Sequence, residues 1–257
     1  VPPVWQACMR FAGATVLLML WSRWRGVRLF EADGTLWPGV LAGLLFAAEF
    51  ACLYLALSYA PVSRLTIFLY SSPFWVAAVL PLLVPAEKLR PVQWLGLFCA
   101  FAAIVFALRD GLSTTGQWMG DVLALAAGLF WGLTTVVMRA SRLARVGAEK
   151  LLLYQVGVSA LVLPLVSRAL GERWGWQYSA FAWGSMAVQT VVGAFASFLL
   201  WMWLLTRYPA TKMSAFVFLT PLFTLLFAAL WLREPITAPL LASLGLVALG
   251  MVLVNRR

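Results

Sequence analysis

Long apolar stretches separated by short polar connections make up almost the whole chain. Nine of these stretches are long enough to cross a hydrocarbon core of about 30 Å, which requires roughly 17 to 25 residues per helix. The connections carry Pro, Gly and charged residues, and none is long enough to hold a soluble domain. The pattern therefore predicts an all-α, polytopic membrane helix bundle. The predicted spans are residues 4–22, 38–58, 62–84, 91–108, 118–139, 150–167, 180–206, 211–232 and 236–254.

One passage of the chain occurs twice, at a constant separation of 148 residues. Several matched positions on a single register, inside apolar runs of helical length, indicate an internal duplication. We predict a first repeat over residues 1–110 and a second over residues 117–257, which together form one membrane domain. The matched pairs are Pro61 with Pro209, Arg64 with Lys212, Ser72 with Thr220, and Pro73 with Pro221.

The composition is that of a membrane protein. Hydrophobic residues make up 63% of the 257 residues and charged residues only 11%, which is too apolar for a soluble domain. The formal charge of +10 lies mainly in the short connections, so it predicts membrane orientation and no nucleic-acid partner. The chain has no His, and its three Cys lie far apart in apolar runs. We therefore expect neither a metal site nor a cofactor.

The distribution of Lys and Arg predicts the orientation of the helices. If the first span enters from outside, 13 of the 19 basic residues fall in inside connections and six fall on the other side. The positive-inside rule then predicts an outside N-terminus and a cytoplasmic C-terminus in a multi-pass protein of the plasma (inner) membrane. With this orientation, Pro61 lies outside and its copy Pro209 lies inside. Secondary transporters use inverted repeats of this kind for alternating access.

Four short motifs accompany the repeated passage: Arg10-Phe11, Gly120-Asp121, Trp131-Gly132 and Asn255-Arg256. In these features the whole chain resembles the EamA-type family of the drug/metabolite transporter superfamily. The resemblance implies ten helices in two inverted five-helix repeats around a central cavity, and export of amino acids or other small metabolites. Compared with that pattern, the helix that would precede Val1 is absent, so we expect nine of the ten spans, with four in the first repeat.

Glu49 is the candidate for a functional acid. Eight of the nine acidic residues lie in connections or at helix ends, whereas Glu49 lies deep inside a span. An ionised carboxylate at that depth costs about 2.5 to 3.5 kcal/mol, so it requires a partner, water or the bundle interior. The helical rise places Arg10 at a similar depth, and one interpretation is a buried structural ion pair between the two side chains. The other is that Glu49 lines the cavity and accepts a transported proton or the amino group of a substrate.

The duplicated prolines, Pro73 and Pro221, lie inside predicted spans. A proline inside a helix removes a hydrogen bond and kinks the axis. Neighbouring hydroxyls such as those of Ser71, Ser72 and Thr220 can satisfy the freed carbonyl in a membrane. The kinks are interpreted either as static packing features or as hinges that open one gate in each repeat.

Other polar and aromatic residues at mid-membrane depth suit a cavity for a small amphipathic metabolite. The alternative for each of them is a contact between helices, worth about 0.6 kcal/mol on average. The duplicated acids Glu87 and Glu234 are interpreted as solvated helix-end pairs or as anchors at the start of a helix. The predicted substrate- or proton-binding residues are Glu49, Arg10, Tyr70, Trp131, Gln155 and Gln189.

The leading functional prediction is a secondary transporter that exports a small metabolite, driven by proton exchange or by the substrate gradient. Its expected partners are the substrate, the lipid bilayer and protons, and the sequence predicts no particular oligomeric state. The alternative is a non-transporting membrane protein, either a membrane enzyme or an assembly factor. The lack of His, of paired carboxylates within a span and of a metal-ligand set disfavours an enzyme. The inverted repeat disfavours an assembly factor.

Overall fold

A computed structural model provides the structure of the chain and describes residues 1–112, 116–220, 223, 227 and 238–255. These residues form an all-α protein, as predicted. A π-helical segment, Gln189–Ser197, joins the eighth and ninth α-helices. In chain order the α-helices of the described residues are α1 (Pro3–Trp24), α2 (Leu36–Ala56), α3 (Val62–Leu69), α4 (Ser72–Leu83), α5 (Pro91–Ala107), α6 (Trp118–Ala140), α7 (Ala148–Ala169), α8 (Ala180–Val188), α9 (Phe198–Arg207), α10 (Ala210–Ala215) and α11 (Ala238–Asn255).

The predicted spans agree with the observed helices to within a few residues wherever the structure describes them. Six helical segments within the described part are long and apolar enough to cross a membrane, and α5 is a shorter apolar helix. The chain is therefore a polytopic helical bundle. The predicted span over residues 211–232 lies partly outside the described residues. The six long segments are Pro3–Trp24, Leu36–Ala56, Val62–Leu83, Trp118–Ala140, Ala148–Ala169 and Ala180–Arg207.

The chain forms two compact units, and each unit contains segments from both predicted repeats. Unit 1 consists of Val1–Tyr54 and Leu133–Tyr208, and unit 2 of Leu55–Gly132 and Pro209–Arg257. The compact units are defined by which residues pack together, whereas the repeats over residues 1–110 and 117–257 are defined by matched sequence positions. The division into repeats and their inverted orientation therefore stay predictions.

Glycines allow close helix packing in unit 1. A Cβ atom at Gly13 of α1 would lie 2.8 Å from Cγ2 of Thr190, and one at Gly43 of α2 would lie 2.6 Å from Cβ of Val158 in α7. A larger residue does not fit at Gly13 or Gly43, so the close approach of these helices depends on the glycines. The largest fully buried side chains of this unit include Phe11, Leu18, Leu152 and Leu163.

In unit 2, α5 and α11 pack through a reciprocal glycine contact. A Cβ atom at Gly96 would lie 2.6 Å from the carbonyl oxygen of Gly250, and one at Gly250 would lie 2.7 Å from that of Gly96. The surrounding core contains Leu97, Ala100 and Ile104, all fully buried. The glycine pair therefore fixes how closely the two backbones approach.

Both copies of the repeated passage are interrupted at equivalent positions. The first copy breaks between the end of α3 at Leu69 and the start of α4 at Ser72. The second changes from α10 to a 3₁₀ turn over Phe216–Phe218. Pro73 lies in the first turn of α4, where its missing N–H costs nothing, so the structure has a broken helix in place of the predicted mid-helix kink. Pro221 lies outside the described residues.

Candidate functional site

Four polar side chains of unit 1 form one hydrogen-bonded group, which we call the polar cluster: Gln6, Arg10, Tyr54 and Gln189. Nη1 of Arg10 donates to the Tyr54 hydroxyl at 2.9 Å and to Oε1 of Gln189 at 3.3 Å. Nε2 of Gln6 donates to the same Gln189 oxygen at 3.2 Å. The cluster therefore joins α1, α2 and the π-helical segment. Sequence reasoning identified Arg10 and Gln189 but missed Gln6 and Tyr54.

The π-helical segment begins at Gln189, which contributes the cluster's shared acceptor. The amide nitrogen of Gln189 donates to Oγ of Ser185 at 3.0 Å, and Thr190 donates to the carbonyl oxygen of Met186 at 2.7 Å. A wider helix leaves backbone groups in non-standard positions, and such segments occur frequently at functional sites. The hydropathy pattern carries no signal for this widening, which explains why sequence reasoning missed it.

Glu49 lies buried in α2, with 6% of its surface exposed. Its Oε2 atom is buried and has no hydrogen-bond partner in the part of the chain that the structure describes. An ionised carboxylate in this setting lacks the hydrogen bonds and the opposite charge that compensate burial. A proton or a cationic group of a ligand would supply what the carboxyl lacks.

The ion pair considered between Arg10 and Glu49 is absent among the described residues, so that interpretation is wrong. Long helical side chains point back toward the N-terminus of their own helix. Helices α1 and α2 are joined by a short connection and run antiparallel, so the two side chains point toward opposite membrane faces. Arg10 therefore binds the hydroxyl of Tyr54, near the C-terminal end of α2, and does not bind Glu49.

Arg10 is held by neutral oxygen atoms and by aromatic rings. Its guanidinium carbon lies 5.6 Å from the ring centre of Phe11 and 6.0 Å from that of Phe50. Its Nε atom is buried without a hydrogen-bond partner among the described residues. Unit 1 thus contains a buried acid and a partly buried cation that do not neutralise each other.

Gln155 is 3% exposed on α7 and is only partly satisfied. Its Nε2 atom lies 3.8 Å from Sδ of Met138, a weak acceptor, and its Oε1 atom has no partner in the described part of the chain. The hydroxyl of Ser159, one turn further along α7, is also buried without a partner there. These two oxygen atoms are additional acceptors in unit 1 that a ligand or water can use.

Tyr70 and Trp131 lie together in unit 2, with ring centres 6.3 Å apart. Tyr70 also lies 6.3 Å from the ring of Phe218, and its hydroxyl interacts with Thr220 by a hydrogen bond. The structure thus places two predicted cavity residues beside the break of each repeated passage. Their role as cavity walls stays a prediction.

Helix α6 packs its glycines directly against the break between α3 and α4. A Cβ atom at Gly128 would lie 2.6 Å from Oγ of Ser71 and 2.8 Å from the carbonyl oxygen of Leu69. A Cβ atom at Gly132 would lie 2.7 Å from Cβ of Trp75. If the chain moves at Pro73, the break between α3 and α4 therefore slides along the glycine surface of α6, where no side chain obstructs it.

Of the two roles that the sequence suggested for Glu87, the structure shows the anchor at the start of a helix and not the solvated helix end. It is 4% exposed, and its carboxylate accepts hydrogen bonds from the backbone N–H groups of Ala210 and Thr211 and from the Thr211 hydroxyl, at 2.9 to 3.1 Å. The carboxylate thus caps the N-terminal end of α10. Glu172 caps α1 in the same way, through Val4 and Trp5. Glu234 lies outside the described residues.

An ion pair holds the start of α3 to the start of α6. Nε and Nη2 of Arg64 bind the two carboxylate oxygens of Asp121, at 2.5 and 2.7 Å. Arg64 belongs to the repeated passage and Asp121 to the Gly120-Asp121 motif. The geometry indicates that this part of the motif has a structural role, because bidentate pairing fixes both partners.

A second ion pair closes the connection between α1 and α2 against α7. Nζ of Lys150 binds Oδ2 of Asp33 and the carbonyl oxygen of Glu31, both at 2.8 Å. The Asp33 carboxylate also accepts the Thr35 hydroxyl at 2.5 Å. The hydrogen bond from Lys150, followed by that from Thr35, lowers the pKa of Asp33 to about 2.

The described residues contain no group of three or more Cys, Asp or Glu side chains that is suited to hold a metal ion. No feature of the polar cluster suggests a cofactor.

Comparisons with known proteins identify the family. The model of the EamA-like transporter family matches residues 1–109 and 118–256. An uncharacterized transporter of Archaeoglobus fulgidus is 27% identical, covering 89% of this chain and 79% of its own length. The uncharacterized transporter YvbV of Bacillus subtilis is 25% identical, covering 100% and 83%. A protein crystal structure with 20% identity covers 99% of this chain and 89% of its own, with a TM-score of 0.84, and shows the same fold. The chain belongs to the EamA-like transporter family and is a multi-pass membrane transporter.

Proposed function

We propose that this chain is a secondary transporter, not an enzyme, which exports an amino acid or a similar small metabolite across the plasma membrane by alternating access. Glu49 is the proposed site for the transported proton or the amino group of the substrate. The observation that carries the proposal is the buried Glu49 carboxyl, whose Oε2 atom lacks a partner among the described residues.

The polar cluster supplies the complementary charge. Only neutral oxygen atoms accept hydrogen bonds from Arg10 in the described part of the chain, so its charge is not cancelled by an acid. Guanidinium groups bind carboxylates strongly, often through two hydrogen bonds. We propose that Arg10 and Gln189 bind the carboxylate of the substrate, while Gln155 provides a further acceptor. A zwitterion satisfies both the acid and the cation of unit 1.

The two interrupted passages are the proposed moving parts. Both belong to unit 2, and the first packs against a glycine surface of α6. Pro73 and Pro221 are proposed as hinges, and Tyr70 and Trp131 as aromatic surface beside them. Broken helices are common in transporters, where irregular backbone borders a cavity.

Export from cells tests the proposal. Cells that overproduce the full-length protein are loaded with a panel of amino acids, nucleosides and other small metabolites, and the compounds released into the medium are measured. We expect faster release of at least one zwitterionic compound. We expect Glu49→Gln to lower that rate about tenfold or more, which corresponds to about 1.4 kcal/mol of lost stabilisation.

Glu31→Gln is the matched control, because its side chain is 54% exposed and pairs with the exposed Arg28 at 3.6 Å. Equal amounts of folded protein, measured by fluorescence-detected gel filtration, are required for each variant. Export by Glu49→Gln at the wild-type rate and with the wild-type pH dependence would remove Glu49 from the mechanism.

A further inference from the structure

Unit 1 contains a cavity of about 1030 Å³ that is separate from the polar cluster. It extends along α1, α2 and α7, and its lining is mostly apolar. Several lining side chains are largely exposed, which shows that the cavity opens to the side of the helices: Leu161 is 76% exposed and Trp37 is 80% exposed. Representative lining residues are Thr15, Met19, Trp37, Tyr154, Gly157 and Leu161.

One end of this cavity lies at the level of the membrane interface. The connection from α1 to α2 forms that end, and it carries the exposed aromatic residues Trp24, Phe30 and Trp37. Exposed Trp and other aromatic residues at helix ends mark the boundary between hydrocarbon and headgroups. The polar end of the cavity is therefore at headgroup level.

The length of the cavity matches one acyl chain. Along α7 its lining runs from Lys150 to Leu161, and a helical rise of 1.5 Å per residue gives a length of about 16 Å. One leaflet contributes about half of a hydrocarbon core of 30 Å, or about 15 Å. An extended acyl chain that starts at the interface therefore fills the cavity to its end.

One cation near the polar end of the cavity, Arg142, is not neutralised by an acid of the described residues. The guanidinium of Arg142 lies against Gly34, a lining residue, with Cζ 3.6 Å from where a Cβ atom would be. Arg142 has no acidic partner among the described residues, whereas Arg28, next to the lining residue Leu29, pairs with the lining residue Glu31 at 3.6 Å. Lys150 and Asp33 cancel each other through their ion pair. The net charge at this end is positive, which complements an anionic headgroup.

We infer that this cavity binds an anionic phospholipid, with one acyl chain along α7 and its headgroup beside Arg142. The site is distinct from the proposed transport site and does not depend on it. A lipid wedged there holds α1, α2 and α7 at a fixed spacing, so its binding stabilises unit 1.

Native mass spectrometry of the purified full-length protein, titrated with phosphatidylglycerol and with phosphatidylcholine, tests the inference. We expect a saturable site that prefers phosphatidylglycerol. Glycerophosphoglycerol, which has the headgroup but no acyl chain, is expected not to bind. Arg142→Gln is expected to weaken phosphatidylglycerol binding about fivefold and to leave phosphatidylcholine binding unchanged, since one cation at a membrane surface contributes about that factor.

Gly157→Phe tests the apolar part of the cavity. A Cβ atom at Gly157 meets only Leu153, at 3.7 Å, so the new side chain has room in the cavity and the helix gains a better helix former. We expect this variant to lose the saturable site for both lipids. Leu165→Phe is the matched control, because Leu165 is 70% exposed on the same helix and does not line the cavity.

Arg145→Gln is the control for charge, since Arg145 is exposed and lies outside the cavity. Unchanged phosphatidylglycerol binding in both Gly157→Phe and Arg142→Gln would overturn the inference. So would a dimer that excludes lipid and dissociates in Gly157→Phe, because a second copy of the chain would then occupy the cavity.

Discussion

The cap that Glu87 forms on α10 leads to a quantitative prediction for stability. Its carboxylate accepts three hydrogen bonds, and the partner residues Ala210 and Thr211 are at most 2% exposed. Glu87→Ala leaves two buried backbone N–H groups without their acceptor. Each such group costs about 1 to 3 kcal/mol, so we expect the two together to cost about 2 to 6 kcal/mol. Glu87→Gln keeps one oxygen acceptor but loses the charge, and we expect a loss of about 1 to 2 kcal/mol.

The free energy of unfolding is measured by titrating the detergent-solubilised protein with denaturant and monitoring the loss of helix by circular dichroism. Glu31→Ala serves as the control, because an exposed site changes stability by about 0.5 kcal/mol or less. The reasoning fails if Glu87→Ala is as stable as this control. It also fails if Glu87→Gln and Glu87→Ala lose the same free energy, because the remaining oxygen would then have no role.

Three further predictions concern packing and pH. Asp33→Asn lowers the melting temperature near neutral pH, because it removes the ion pair with Lys150. Because the native pKa of Asp33 is low, about 2, the wild type should melt at a higher temperature than Asp33→Asn above about pH 4, and this difference should disappear as the pH falls toward 2. A melting-temperature difference that stays constant over that range would contradict the ion pair. Gly128→Ala places a Cβ atom 2.6 Å from Oγ of Ser71 and 2.8 Å from the carbonyl oxygen of Leu69, so we expect a lower melting temperature; melting at the wild-type temperature would contradict this close packing. Gly250→Leu is expected to prevent stable folding, measured as the monodisperse fraction in gel filtration, whereas a Leu at Gly245, which has open space, is expected to be tolerated.

The positions of the helices could be predicted from the sequence because a helix that crosses the hydrocarbon core has to be apolar over its whole length. The duplication also pointed to the right place in the chain, since both breaks lie next to the repeated Ser/Thr-Pro pairs. Contrary to the prediction, Pro73 does not kink a continuous helix. It lies in the first turn of a new helix, where a proline is accommodated without a lost hydrogen bond.

The partners of the polar residues could not be predicted, because they depend on side-chain direction and on long-range packing. Depth along the helices suggested that Arg10 pairs with Glu49, yet its side chain points to Tyr54. Glu87 lies at a helix end in the sequence, and only the fold reveals that the end of another helix, 123 residues away, meets it. Local hydropathy likewise contains no information about the π-helical segment at Gln189.

The central proposal is that substrate movement depends on the buried Glu49 carboxyl, and its most specific form is that this carboxyl carries the proton exchanged for the substrate. The most direct measurement uses proteoliposomes that contain a pH-sensitive dye and the compound identified in the export panel. With wild-type protein, an imposed substrate gradient is predicted to drive proton movement, and Glu49→Gln is predicted to abolish it while Glu31→Gln retains it. Proton movement of equal size in Glu49→Gln would contradict the account.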